Sequence, residues 1–104
     1  MAEYVSKPGE GVALEDQEKT EKPRKYKVLL HNDNYTTMEF VVDILVDVFH
    51  KPVDDAIQVM LSVHHNGTGV AGVYVKSVAE MKVKDVHERA KVEGCPLRCS
   101  IEPE

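Results

Sequence analysis

The stretch KYKVLLHNDNYTTMEFVVDILVDVF, Lys25–Phe49, decides the fold because the period of its apolar residues changes partway through. In KYKVLLH, Tyr26, Val28 and Leu30 share one face of an alternating run, the period of a strand with one buried side. From Met38 onward, Met38, Val41, Val42, Leu45, Val48 and Phe49 recur at helical spacing, while Glu39, Asp43, Asp47 and His50 take the opposite side. The residues between are HNDNYTT, rich in hydrogen-bonding side chains. Thr36 with Glu39 matches a capping box, and Tyr35 with Phe40 takes the positions of a hydrophobic staple. An Asx-turn built on Asn34 would lead the chain out of the strand. Asn32 and Asp33 are left without a structural task.

Outward from this stretch the pattern continues. Lys51-Pro52 interrupts the first helix, and a second follows from about Val53, with Asp54 and Asp55 in its first turn, where the helix dipole favours anions. Its stripe reads Ile57, Met60, Leu61 and His64, and Asn66-Gly67 ends it in a left-handed cap. The Val- and Tyr-rich run that follows predicts a strand over Gly69–Val75, with Val70 to Val75 in the sheet core. Ser77 and Glu80 then match a second capping box, and Ala79, Val83, Val86 and Ala90 form the stripe of a third helix ending at Gly94. Leu97, Cys99 and Ile101 alternate with polar residues in a last strand. The order strand, helix, helix, strand, helix, strand predicts an α+β fold, a small sheet with helices packed on one face.

A chain of 104 residues, 42% hydrophobic and 30% charged, suits one soluble domain. Residues 1–24 differ: they are mostly charged, small or Pro, with Val12, Ala13 and Leu14 the only apolar cluster. They are expected to form a disordered arm, leaving residues 25–104 as the folded core. A net charge of -5 argues against a nucleic-acid binder, since phosphate neutralisation needs a basic face. No apolar run approaches a membrane span and no signal peptide is evident, so a cytoplasmic protein without membrane contact is expected. Cys95 and Cys99, in CPLRC, are expected to be reduced thiols. No Gly-rich phosphate loop ending in Lys-Ser or Lys-Thr is present, so ATP-derived work would come from a partner.

If the first two helices form a hairpin, the loop before the first and the end of the second meet at one edge of the domain. Asn32, Asp33 and His64 then converge beside Met38, Met60 and Val63. An amide oxygen, a carboxylate and an unprotonated imidazole nitrogen are suited to a primary ammonium with its three donors. The methionines beside them would accept an apolar group. An ammonium joined to an apolar side chain describes the first residue of a peptide. Three other readings differ in kind. A zinc site from His31, His64, His65 and the CPLRC thiols lacks the usual CxxC spacing. A hydrolase using Cys99, His64 and Asn32 lacks a group to activate the thiol, and His50, His65 and His87 read as solvated. A structural or ribosome-associated interaction domain would need the polar junction only for capping.

The segments NDNYTTMEF, MLSVHHNG, GVYVKSVAEMKV and CPLRC closely resemble the ClpS family, the adaptors that deliver N-degron substrates to the Clp protease. The likeness runs from about Tyr26 to the C-terminus. It implies a three-stranded antiparallel sheet packed against three helices, and a monomeric, non-enzymatic adaptor without cofactor or metal. By position, it implies α-amino contacts at Asn32, Asp33 and His64. A pocket for N-terminal Leu, Phe, Tyr or Trp falls on Asn34, Thr36, Met38, Val41, Met60, Val63 and Leu97, with Met38 excluding β-branched side chains. It further implies docking on the N-terminal domain of the AAA+ unfoldase ClpA or ClpC around Ser77, Glu80 and Lys82, with the N-terminal arm assisting transfer. The family's usual motif is NDDYTPMEF; this chain has Asn34 for the second Asp and Thr37 for Pro. Ser77 stands where some relatives carry Glu.

Overall fold

The alternation in KYKVLLH forms strand β1, Lys25–His31, and its inward side chains Val28 and Leu30 are wholly buried. The computed structural model describes residues 23–104. The expected arm, residues 1–24, therefore lies outside the described residues except for its last two positions. After β1 come α1 (Met38–Asp47), α2 (Val53–Asn66), β2 (Thr68–Val75), α3 (Lys76–Glu93) and β3 (Arg98–Pro103). The three strands make one sheet in the order β2-β1-β3, with β1 antiparallel to both neighbours. The α+β architecture read from the periodicities is thus the observed one.

Register carries the pattern across the sheet. Leu30 pairs with Cys99 and Val28 with Ile101 on β3, so their inward faces coincide. On the other side Val28 pairs with Gly72 and Leu29 with Val70, which leaves Ala71 as an extra residue in β2. That irregularity sets Ala71 into the core and turns Val70 and Val73 outward, 40% and 37% exposed. The expectation that all of Val70 to Val75 is sheet core is corrected accordingly.

Helix α1 seats Phe40, Val41, Ile44 and Leu45 in the core, followed by Val48 and Phe49. Each such large side chain, fully buried, contributes about 1.5–3 kcal/mol of transfer free energy. The buried residues of α2 are Ala56 and Val63, with Val59 and Met60 partly covered, while Ile57 and Leu61 are 38% and 39% exposed. Its stripe is therefore rotated from the one expected. The cause is close packing at Gly69, where a Cβ would lie 2.8 Å from Val63 Cγ2 and 3.0 Å from the Val59 carbonyl oxygen. Small residues at the contact draw the Ala56–Val59–Val63 side against β2.

Helix α3 buries Ala79, Val86 and Ala90 as its stripe requires. Its start differs from expectation: Val75 is the N-cap and no side chain caps the helix, so Ser77 and Glu80 do not form a capping box. Helices α2 and α3 both stop at glycines in the left-handed conformation, Gly67 (φ 89°) and Gly94 (φ 76°). Among the described residues, no helix is long and apolar enough to cross a membrane.

Candidate functional site

The site grows from the way β1 hands over to α1. The carboxylate of Asp33 accepts from the backbone N–H of Tyr35 (2.8 Å) and Thr36 (2.7 Å) through Oδ1, and from the Thr36 hydroxyl (2.7 Å) through Oδ2. Asp33, not Asn34, builds the Asx-type turn. Because Thr36 is engaged there, the cap of α1 falls to Thr37, whose Oγ1 accepts from Phe40 N–H at 3.1 Å. The expected capping box of Thr36 and Glu39 is not formed. Nor is the staple, since Tyr35 is 79% exposed while Phe40 is buried. Partial burial alone would raise the Asp33 pKa. The hydrogen bonds from Thr36 and Tyr35 outweigh it and hold the carboxyl below its ordinary range.

The other half of the site arrives through the end of α2. The N–H of Asn32 donates to the Gly67 carbonyl at 2.9 Å, and His31 pairs with Thr68 at the start of β2. These contacts lash the exit of β1 to the end of α2, one turn after His64. A recess of about 610 Å³ results, with Asn32, Asp33, Asn34 and His64 at its polar side. Met38, Val41, Met60 and Val63 form its apolar wall. Thr36 lies on its border, as do Tyr35, Thr37 and Glu39, which the sequence pattern does not single out for the site. The structure thus brings together nine of the ten residues expected to hold an amine and its side chain. Leu97 is the exception: it is 3% exposed, packed in the core, and not part of the recess lining.

Several polar side chains at the recess, the Asn34 amide among them, make no hydrogen bond to another described residue. Among the described residues, neither the Asn32 amide nor the His64 ring makes a side-chain hydrogen bond. His64 is exposed and stands edge-to-face with His65, the ring centres 5.3 Å apart. Met38 is 43% exposed, so the apolar wall is open to solvent at its mouth. An amide oxygen, an imidazole nitrogen and an ionised carboxylate beside an open apolar wall can hold a cation attached to an apolar group.

The model of the family described as "ATP-dependent Clp protease adaptor protein ClpS" matches residues 21–100. The chain belongs to the ClpS family. An adapter protein ClpS of Desulfatibacillum aliphaticivorans is 58% identical over 93 residues, covering 89% of each chain. One from Myxococcus xanthus is 59% identical over 88 residues, covering 85% of this chain and 82% of its own. Among solved structures, Agrobacterium tumefaciens ClpS2 bound to L-phenylalaninamide superposes with a TM-score of 0.77 at 40% identity, over 80% of this chain and 100% of that one. Membership of the ClpS family makes the chain an adaptor of the ATP-dependent Clp protease.

The residues expected at an unfoldase contact, Ser77, Glu80 and Lys82, lie on α3, away from the recess. Ser77 and Glu80 are exposed. Lys82 is half-buried, donates to the Val48 carbonyl at 2.6 Å and lies 5.6 Å from the centre of the Tyr74 ring. The groups of the rival readings are dispersed. Among the described residues, no three His, Cys, Asp or Glu gather as metal ligands. His31 Nε2 is 2.7 Å from Ser100 Oγ on β3. His87, expected to be solvated, is exposed yet accepts the Cys99 N–H through Nε2 at 3.1 Å. Both cysteines are free, and burial pushes the Cys99 thiol up to about 12. A thiol so placed is a poor nucleophile.

Proposed function

We propose that the recess captures the first residue of N-degron substrates, binding the free α-amino group together with a bulky apolar side chain. The observation that carries this reading is the placement of the Asn32 amide and the His64 ring, unpartnered among the described residues, beside the open wall of Met38, Val41, Met60 and Val63. The Asn32 amide oxygen and an unprotonated His64 nitrogen accept from the ammonium, and Asp33, held ionised by its turn, supplies the countercharge. Asn34 and Thr36 border the side-chain space. A Leu, Phe, Tyr or Trp side chain fills it, and Met38 at the mouth disfavours branching at the β-carbon. The ligand bound to the Agrobacterium protein, L-phenylalaninamide, has a free amine and a benzyl side chain, which supports the reading.

Burying such a side chain contributes about 1.5–3 kcal/mol, and each hydrogen bond to a charged group about 1.5–3 more. Less the cost of immobilisation, the sum is consistent with a dissociation constant in the micromolar range, near -8 kcal/mol as an order of magnitude. Neither half suffices alone. Calorimetry with peptides beginning Phe, acetyl-Phe and Met-Phe tests this: the first should bind, and the other two should bind weakly or not at all. Equal affinity for free and acetylated peptides would overturn the reading. The captured substrate would then pass to the N-terminal domain of ClpA or ClpC, docked around Ser77, Glu80 and Lys82, in the cytoplasm. The protein itself would act as a monomer and catalyse nothing.

A further inference from the structure

Beside the recess lies a second depression of about 350 Å³, walled by Met38, Val42, Ile57 and Met60 and edged by Glu39 and Asp43. The two share Met38, Glu39 and Met60, so the trough continues the recess along the groove between α1 and α2. The recess leans on Val41, Val63 and His64, whereas the trough leans on Val42 and Ile57. On α2 that is a displacement of more than one turn, roughly 5–10 Å at about 1.5 Å per residue.

The chemistry of the trough is specific. Its floor is apolar and open, with Ile57 38% and Met38 43% exposed. Its edge is acidic. Glu39 and Asp43 stand one turn apart on α1, and neither has an ion-pair partner among the described residues. An apolar floor under an acidic edge suits a side chain with a long aliphatic stem and a cationic head.

An extended peptide repeats its side-chain direction every second residue, about 6.6 Å apart at roughly 3.3 Å per residue. With the first side chain in the recess, the second turns away and the third returns to the same side at the distance of the trough. We propose that this trough is a subsite for the third residue of a bound N-terminal peptide and favours Arg or Lys there. The proposal rests on the reading of the recess as a site for the first residue.

The test is a calorimetric series of peptides beginning Phe-Ala-Arg, Phe-Ala-Leu, Phe-Ala-Ala, Phe-Ala-Glu and Phe-Arg-Ala, each followed by the same neutral tail, at low salt. Arg at the third position should tighten binding about fivefold over Ala, as expected of a partly covered stem and a screened ion pair. Leu should gain less, Glu should weaken binding, and Arg at the second position should gain little. Ile57→Ser and Asp43→Asn should each reduce the Arg advantage while leaving the Phe-Ala-Ala peptide unaffected. Equal affinities across the third position would overturn the subsite, as would an equal gain from Arg at the second position or variants that weaken every peptide alike. If the Phe-Ala-Ala peptide binds and its acetylated form does not, such a result removes the subsite alone; if the Phe-Ala-Ala peptide does not bind, both readings fall.

Discussion

The two ends of α1 each gather charged and polar side chains around a depression, and they differ in what those side chains are doing. At the C-terminal end, a cleft of about 410 Å³ runs between α1 and α3. There Lys82 donates to the terminal carbonyl of Val48, and Arg89 pairs with Asp47 at 3.1 Å. A cation at a helix C-terminus is well placed against the dipole. At the N-terminal end, Asp33 and Thr37 hold the backbone, while the Asn32 amide and the His64 ring have no side-chain hydrogen-bond partner among the described residues. Polar capacity at one end ties helices together; at the other it is left over, as the proposed capture of a ligand requires. Substitutions at the two ends should therefore separate stability from binding.

The largest effect is expected at the uncommitted pair. Asn32→Ala and His64→Ala should each weaken a Phe-starting peptide by about 1.5–3 kcal/mol, the worth of a hydrogen bond to a charged group. Thermal melting should stay where it is, because neither side chain makes a hydrogen bond to another described residue. Acidification should imitate the second substitution once His64 is protonated, because a protonated imidazole can no longer accept from an ammonium and repels it. Asp33 does not cause that loss, since its hydrogen bonds hold its carboxyl below the ordinary carboxylate range. A flat affinity profile in wild type, or an equally steep one in His64→Ala, would remove His64 from the acceptor role.

Asp33 stands between the two behaviours. Its carboxylate both forms the turn and faces the recess, so Asp33→Ala should cost about 1 kcal/mol of stability, as lost caps do, and affinity as well. Asp33→Asn keeps an acceptor for the turn and loses only the charge, and should spare stability more than affinity. The depressed carboxyl also fixes a sign. Its contribution to stability is present above the unfolded-state value and is lost as pH falls through the folded-state value, so acid unfolding of Asp33→Asn should be less steep in that strongly acid range. At the opposite end, Lys82→Met should lower stability by about 1 kcal/mol through the lost bond to Val48. Peptide affinity should not change, which calorimetry and melting on the same sample would check.

Much of this contrast is legible in the sequence. The switch from period two to period 3.6 between Leu30 and Met38 places β1 and α1, and the glycines after α2 and α3 place their ends. Asn32 and His64 are legible as polar groups that the helix caps do not use, whereas Asp33, read from sequence as having no structural task, builds the turn into α1. What stays hidden is set by competition among neighbours. Thr36 and Thr37 are equally good caps by type, and only the turn around Asp33 decides that Thr36 is occupied and Thr37 caps. On α2, Ile57 and Leu61 outweigh Ala56 in any hydropathy pattern, yet close packing at Gly69 selects the Ala56–Val63 side and leaves Ile57 at the surface. Leu97 sits in the core and does not line the recess, and no local pattern separates a wall residue from a core one.

The smallest expected effect concerns the thiols, which belong to neither end of α1. Cys99 faces Leu30 across β1 and β3, is 6% exposed, and has its thiol pushed up to about 12 by burial. At neutral pH almost none of it is thiolate, the species that reacts. Cys95, after the cap of α3, is only partly buried. Iodoacetamide applied to the folded protein should therefore modify Cys95 and spare Cys99, as peptide mass mapping would show, and both should react after denaturation. Since neither lines the recess, alkylation at Cys95 should leave the affinity for a Phe-starting peptide unchanged. Rapid labelling of Cys99 in the native protein would mean that β3 opens readily. The sheet would then be too loose to hold β1, and with it Asn32, against the end of α2.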